Sequence, residues 1–292
     1  MTLDPREHSI TLANGLRMAW FEWPAAAAQA QAPTILLVHA TGFHARCWDA
    51  VVEGLEGRHV IAVDLRGHGR TEKTDPVPWD RFGEDLAEFV RALGLRGAVG
   101  VGHSMGGYCV TFAAALVPEA FSRLLLVDPV ILPPEAYAER TVAGAPEEHP
   151  TSKRRNHWQG WREMYERFAD RMPFAAWDPR VLEDYCRFGV VRDETAGGFV
   201  LACPPRIEAS IYLASAARDI HELVERVPLP VTVLRARPRT GDREGMDFSA
   251  SPTWPDLAAR FPDGRDVQLP ERSHFIPMED PALTAEFVLG RR

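Results

Sequence analysis

Ser104 stands in Gly102-His103-Ser104-Met105-Gly106-Gly107, a Gly-x-Ser-x-Gly run with one more glycine behind it. A serine hydroxyl is a weak nucleophile near neutral pH, so the run carries chemistry only if a base lies beside it and a third group orients that base. The apolar stretch Ala98-Val99-Gly100-Val101 precedes it, and Tyr108 to Leu116 reads as a helix, which puts Ser104 at a strand-to-helix corner. Larger side chains in place of the glycines would collide there with the neighbouring strand and helix and leave the hydroxyl no route to solvent. Ser104 is the candidate nucleophile, and attack on an acyl carbon is the chemistry it would do.

His274 is the candidate base. It follows the last predicted strand, Asp266-Val267-Gln268-Leu269, in the loop Pro270-Glu271-Arg272-Ser273, at the sheet edge where loops converge on the corner. His39, His68 and His103 lie beside turns whose backbone does the work, so structural hydrogen bonding is the reading for each.

These groups need a scaffold, and the chain supplies strands and helices in alternation. Ser9 to Leu12 and Arg17 to Phe21 flank Asn14-Gly15, a pair that tolerates positive φ, and read as a hairpin. Ala25 to Ala32, between Pro24 and Pro33, is too short for an independent helix and reads as a loop. Thr34 to Val38, His59 to Asp64 and Arg123 to Val127 are continuous apolar runs, as parallel strands buried on both faces require. Helical spacing appears near Trp48 to Leu55 and over Trp79 to Leu93, so the fold class is doubly wound α/β. Regularity lapses from Pro133, where Trp158, Trp161, Trp177, Tyr165, Phe168, Phe174 and Tyr185 are scattered among charges and prolines. It resumes at Pro230 to Leu234, and a helix over Pro281 to Leu289 closes the chain. This predicts a core of residues 1–132 and 228–292 with a helical cap over 133–227.

The succession of strand, His39-Ala40-Thr41-Gly42-Phe43-His44 loop, Asp64-Leu65-Arg66-Gly67-His68-Gly69, serine corner, cap and late Ser273-His274-Phe275 resembles the α/β-hydrolase superfamily over nearly the whole chain. That resemblance implies a mostly parallel eight-stranded sheet flanked by helices, with the cap inserted after the sixth strand. It also implies an oxyanion hole of two backbone amides, Thr41 N–H in the loop after the first buried strand and Met105 N–H at the start of the helix behind Ser104. The loop is locally similar to the His-Ala-Asn-Gly-Phe-His loop of fungal acyl-CoA hydrolases of polyketide and toxin pathways, with Thr41 in place of the Asn. In the commonest arrangement of the superfamily the acid follows the strand after the cap. Here that segment, Arg235 to Asp247, is longer than usual and offers both Asp242 and Asp247. The other superfamily site, the end of the strand after the nucleophile helix, holds Asp128. A carboxylate there needs a partner, because desolvating an unpaired charge costs several kcal/mol. We read Asp128 as the acid, with Asp247 and then Asp242 as alternatives.

Asp64 and Arg66 read as caps of a strand–loop junction. Arg154 and Arg155 read as a solvated helix face, with forked binding of a substrate anion as the alternative. Among the cap tryptophans, Trp158 and Trp161 are the candidates to line a substrate pocket. The net charge of −8, with no sustained basic block, argues against nucleic acid or an anionic membrane surface as partner. The expected ligand is a small hydrophobic acyl or aromatic molecule, with no metal and no cofactor. Cys47, Cys109, Cys186 and Cys203 show neither disulfide nor metal-ligand spacing, the N-terminus lacks an apolar signal region, and no apolar run reaches the ~20 residues of a membrane span. The chain therefore reads as cytoplasmic, without membrane insertion, and the sequence sets no oligomeric state. The function expected is hydrolysis of esters or thioesters. Cleavage of a carbon–carbon bond in a β-diketone uses the same groups, and a ligand receptor on the same scaffold is the reading from a different class.

Overall fold

The computed structural model describes residues 4–74, 78–139, 144–195, 197–215, 218–239 and 247–292. Its centre is an eight-stranded sheet of β1 (Arg6–Thr11), β2 (Arg17–Trp23), β3 (Ile35–Val38), β4 (Val60–Val63), β5 (Ala98–His103), β6 (Phe121–Val127), β10 (Pro230–Arg235) and β11 (Asp263–Gln268). In space they run β1-β2-β4-β3-β5-β6-β10-β11. The first two form the expected antiparallel hairpin, in which Gly15 takes φ +87° and the Asn14 side chain accepts from Leu16 N–H. Strand β2 also joins β4 antiparallel, and every later pairing is parallel. Strands β3, β4 and β5 are buried at every position, which is why their sequences are unbroken apolar runs without alternation. Strand β11 is a largely exposed edge, and its charged residues face water.

Helices cover both faces. Phe82, Leu86 and Phe89 of α2 (Trp79–Ala92) pack with Tyr108 and Val110 of α3 (Met105–Leu116) on one side. Trp48, Val51 of α1 (Asp49–Glu53) and Phe287 of the C-terminal helix Pro281–Val288 pack on the other. The four cysteines are buried and unbonded to one another, and no helix of the described residues is long and apolar enough to cross a membrane.

Between β6 and β10 the chain leaves the sheet. It forms α4 (Pro134–Glu139), α5 (Trp161–Phe168), α6 (Pro179–Phe188), α7 (Pro205–Leu213) and α8 (His221–Val224), together with β7 (His157–Trp158), β8 (Val190–Arg192) and β9 (Phe199–Leu201). The three short strands make a second, antiparallel sheet in the order β7-β9-β8. The sequence predicts helices alone here, because strands of two or three residues are too short to show a period of two. The end of this stretch returns to the main core, where Ile220, Val224 and Val227 pack in the same cluster as Tyr108 and Phe112.

One seam between the insertion and the core is acidic. The carboxylate of Asp49 is gripped by Arg46 in a fork of 2.6–3.0 Å, and the Arg46 guanidinium lies 3.8 Å over the Phe188 ring at the end of α6. Burial nonetheless pushes the Asp49 carboxyl up to about 6. Burial, and then the charge of Asp49, push Asp184 on α6 up to about 7, with Glu183 adding to this and Arg46 and Arg187 opposing it. Carboxyls that hold protons more tightly in the native state make stability fall as pH rises from about 4 through about 7. Asp184→Asn should remove the larger part of that loss, so thermal scans should show it melting a few degrees above the parent at pH 8 and close to level with it near pH 4.

Candidate active site

The corner after β5 puts Ser104 at φ 56° and ψ −119°, a strained conformation for a residue with a side chain. Backbone tethers hold it there. Ser104 N–H donates to the Val127 carbonyl at 3.0 Å, and the Ser104 carbonyl accepts from Val130 N–H at 3.2 Å. The glycines are a packing requirement, as the sequence predicts. A Cβ on Gly106 would lie 2.2 Å from the Val38 carbonyl oxygen of β3, and one on Gly102 would lie 2.3 Å from the Gly106 carbonyl oxygen.

His274 is brought to this corner from 170 residues away in sequence, with Nε2 3.0 Å from Ser104 Oγ. Its Nδ1 lies 2.6 Å from Asp128 Oδ2. An ionised carboxylate only accepts, so Nδ1 carries the proton and donates to Asp128, which leaves Nε2 to accept from the serine hydroxyl. Two backbone bonds fix the ring. His274 N–H donates to the Phe248 carbonyl at 3.1 Å, and the His274 carbonyl accepts from His103 Nε2 at 2.8 Å.

Asp128 is fully buried at the end of β6, with φ 45°. Its second oxygen, Oδ1, accepts from Ala236 N–H at 3.0 Å, from Ser251 Oγ at 2.5 Å and from Thr253 Oγ1 at 3.3 Å. Three donors plus the imidazole make the buried charge tolerable, where an unpaired one would not be. Asp247 does not reach His274. Its carboxylate accepts from Ser249 N–H at 2.9 Å and Ser249 Oγ at 2.6 Å, closing a turn. Asp242 lies outside the described residues. The sequence carries no sign of Ser251 and Thr253, because a Ser-Pro-Thr stretch in a loop has no pattern of its own.

The loop after β3 faces the start of α3, and Thr41 Oγ1 donates to Met105 Sδ at 3.4 Å, so the Thr41 hydroxyl is engaged. The Thr41 and Met105 amides donate to no described residue. Histidines hold this loop. His68 donates from Nδ1 to the Arg66 carbonyl at 2.8 Å and accepts from Gly42 N–H at Nε2 at 3.0 Å. His39 likewise donates to the Ala40 carbonyl at 2.7 Å and accepts from Leu65 N–H at 3.0 Å. Burial lowers the pKa of both, which keeps each ring in the neutral form that one donor and one acceptor require. Asp64 bridges the same loops, accepting from Ala45 N–H and Arg70 N–H at 2.7 Å each, and Arg66 forks onto Asp85 at 2.7 and 2.8 Å.

The sequence pattern of the alpha/beta hydrolase family matches residues 35–287. The chain belongs to the alpha/beta hydrolase family. Among curated relatives it is 36% identical over 112 residues to a bifunctional esterase/perhydrolase from Acinetobacter calcoaceticus, and 34% identical over 113 residues to an esterase of Mycobacterium tuberculosis. Those matches cover 37% and 38% of this chain, and they span only 39% and 38% of the length of the relatives. Over the full fold it is similar to the crystal structure of E-2-(acetamidomethylene)succinate hydrolase, with a TM-score of 0.75, 19% identity and 98% of each chain covered.

In this alpha/beta hydrolase Ser104, His274 and Thr41 open into a cavity of about 710 Å³. Its walls include Trp79, Leu132, Tyr212, Phe248 and Trp254. Trp158 and Trp161, the tryptophans expected to line it, do not. Trp158 is turned inward by β7 and stands edge-on to Phe168 at 5.8 Å, in a cluster with Met164, Trp177 and Tyr185 that glues the insertion to Phe43 and Phe275. Trp161 packs against the rim of that cluster. The lining aromatics come instead from the start of α2, from α7 and from the segment after β10. Arg154 is also not on a solvated helix face. It is paired with Glu208 and donates to the Tyr185 hydroxyl at 2.8 Å, while Arg155 pairs at the surface with Glu163 over the Trp158 ring. Neither guanidinium is left to hold a substrate anion.

Proposed function

We propose that this chain hydrolyses carboxylic esters or thioesters through an acyl-enzyme on Ser104. The observation that carries the reading is the unbroken chain from Ser104 Oγ through His274 to Asp128, opening into a large cavity at its serine end. Ser104 Oγ attacks the carbonyl carbon while its proton passes to His274 Nε2. Asp128 stays ionised, fixes the tautomer and stabilises the imidazolium. The negative charge that builds on the carbonyl oxygen is met by the Thr41 and Met105 amides, donors of the kind whose loss typically costs about 10²–10³ in rate. The imidazolium then protonates the departing alkoxide or thiolate, the acyl group stays on Ser104, and a water activated by His274 releases the acid. The esterase names of the curated relatives support the class of bond.

On this reading residues 133–227 act as the cap, and the aromatic cavity admits a hydrophobic acyl or aromatic group. The four buried thiols suit a reducing compartment such as the cytoplasm. The test is a substrate panel of p-nitrophenyl esters of increasing acyl size, the matching acyl-CoA thioesters and a β-diketone. Release of p-nitrophenol or CoA with saturation is the expected result. Cleavage of the diketone alone would move the reading to carbon–carbon hydrolysis, and binding without turnover of any would move it to a receptor.

A further inference from the structure

The cavity wall that continues from the catalytic histidine is a run of packed rings that ends in unused donors. Phe248 stacks beside His274 with centroids 5.8 Å apart, Tyr212 of α7 meets Phe248 at 6.1 Å, and His149 stacks on Tyr212 at 5.8 Å with 17° between the planes. All four border the cavity. Most of the other polar groups there are engaged. Ser251 and Thr253 serve Asp128, Arg235 forks onto Asp266 at 2.6 and 2.8 Å, and the Trp79 indole N–H donates to the Ile211 carbonyl at 2.8 Å. His149 and Tyr212 are different. His149 Nδ1 accepts from Thr151 N–H at 3.2 Å, which places the ring proton on Nε2. Neither that Nε2–H nor the Tyr212 hydroxyl has a hydrogen-bond partner among the described residues. An imidazole that accepts at Nδ1 is in its neutral form, and burial acts in the same direction, lowering the imidazole's pKa and raising the phenol's.

A neutral donor pair in an otherwise aromatic wall favours a ligand that brings an oxygen acceptor to it, and disfavours one that leaves the donors dry. Among the described lining residues the unpaired cation, Arg239, sits apart at the exposed end beside Pro238, so the inner wall they form offers no free positive charge for a carboxylate. We propose that Tyr212 and His149 read a second, uncharged oxygen in the acyl group, a ketone, ester or lactone carbonyl lying beyond the scissile carbonyl. The preferred substrate is then an aromatic or bulky acyl ester or thioester with that distal carbonyl, not a plain fatty acyl ester. This inference rests on the ester-hydrolase reading for which atom is attacked, but the recognition itself needs no turnover.

The test uses p-nitrophenyl esters of a phenylalkanoic acid in which a ketone replaces one methylene at successive positions, with the all-methylene ester and an ester carrying a distal carboxylate as comparators. At one ketone position kcat/KM should exceed that of the methylene ester by about tenfold or more. That preference should shrink to about threefold or less in Tyr212→Phe and in His149→Phe, both of which keep the ring stack. A ketone preferred at no position, a carboxylate preferred over every ketone, or a preference that survives in both variants overturns the proposal. Binding of the same compounds to Ser104→Ala, read by quenching of tryptophan fluorescence, separates the two readings. Tighter binding of the ketone by a chain that hydrolyses nothing would retain this inference while removing ester hydrolysis. Equal binding by a chain that hydrolyses them all would do the reverse.

Discussion

Ser104→Ala is expected to lower kcat for a p-nitrophenyl acyl ester by about 10⁵–10⁶, leaving only the rate that the amides and the cavity supply without a nucleophile. The fold should survive, because among the described residues the hydroxyl meets only His274 Nε2. The corner is held by the Ser104 backbone bonds to Val127 and Val130, which alanine keeps. Alanine also fits the φ of 56° no worse than serine does. A variant that melts like the parent and retains more than a tenth of its turnover would mean that the hydroxyl does not attack.

Asp128→Asn is expected to cost about 10⁴ in kcat, and Asp247→Asn less than tenfold. Asparagine is nearly isosteric, but its amide has a donor end as well as an acceptor end. Ala236 N–H, Ser251 and Thr253 all donate to Oδ1, so the amide oxygen turns to them and the NH₂ faces His274. The imidazole then takes the wrong tautomer, with its proton on Nε2, and can no longer accept from Ser104. Asp247 closes the Ser249 turn and borders the cavity, and His274 Nδ1 faces Asp128 instead, so losing the Asp247 charge leaves that tautomer alone. Comparing kcat for the two variants checks the assignment, and the opposite ranking would place the acid on the segment after β10.

Much of this was legible in the sequence because backbone geometry constrains residue type there. Glycines 102 and 106 and the buried apolar runs of β3, β4 and β5 could not be otherwise without collisions or buried polar groups, so their pattern gave the corner and the sheet. His274 followed from its place after the last strand. Asp128 was legible only as one of three candidates, because a strand-end aspartate looks the same whether or not a histidine folds back onto it from 146 residues away. The cavity was the least legible part. Trp158 and Trp161 suggested themselves by size, yet a large aromatic ring lowers its free energy as well by joining a core as by lining a pocket. The residues that line it, among them Tyr212, His149, Phe248 and Trp254, converge from separate loops with no shared spacing. The strands of the insertion were missed for a related reason, since pairs such as His157–Trp158 are defined by their partners and not by their own pattern.

A covalent bond should form at Ser104 Oγ with His274 as base. The most direct measurement is the mass of the intact protein after treatment with a p-nitrophenyl dialkyl phosphate, followed by peptide mapping. The expected result is one dialkylphosphoryl group per chain, located on Ser104, absent from Ser104→Ala and formed at least about a thousandfold more slowly in His274→Ala. An unmodified protein, or an adduct on any other residue, would contradict it.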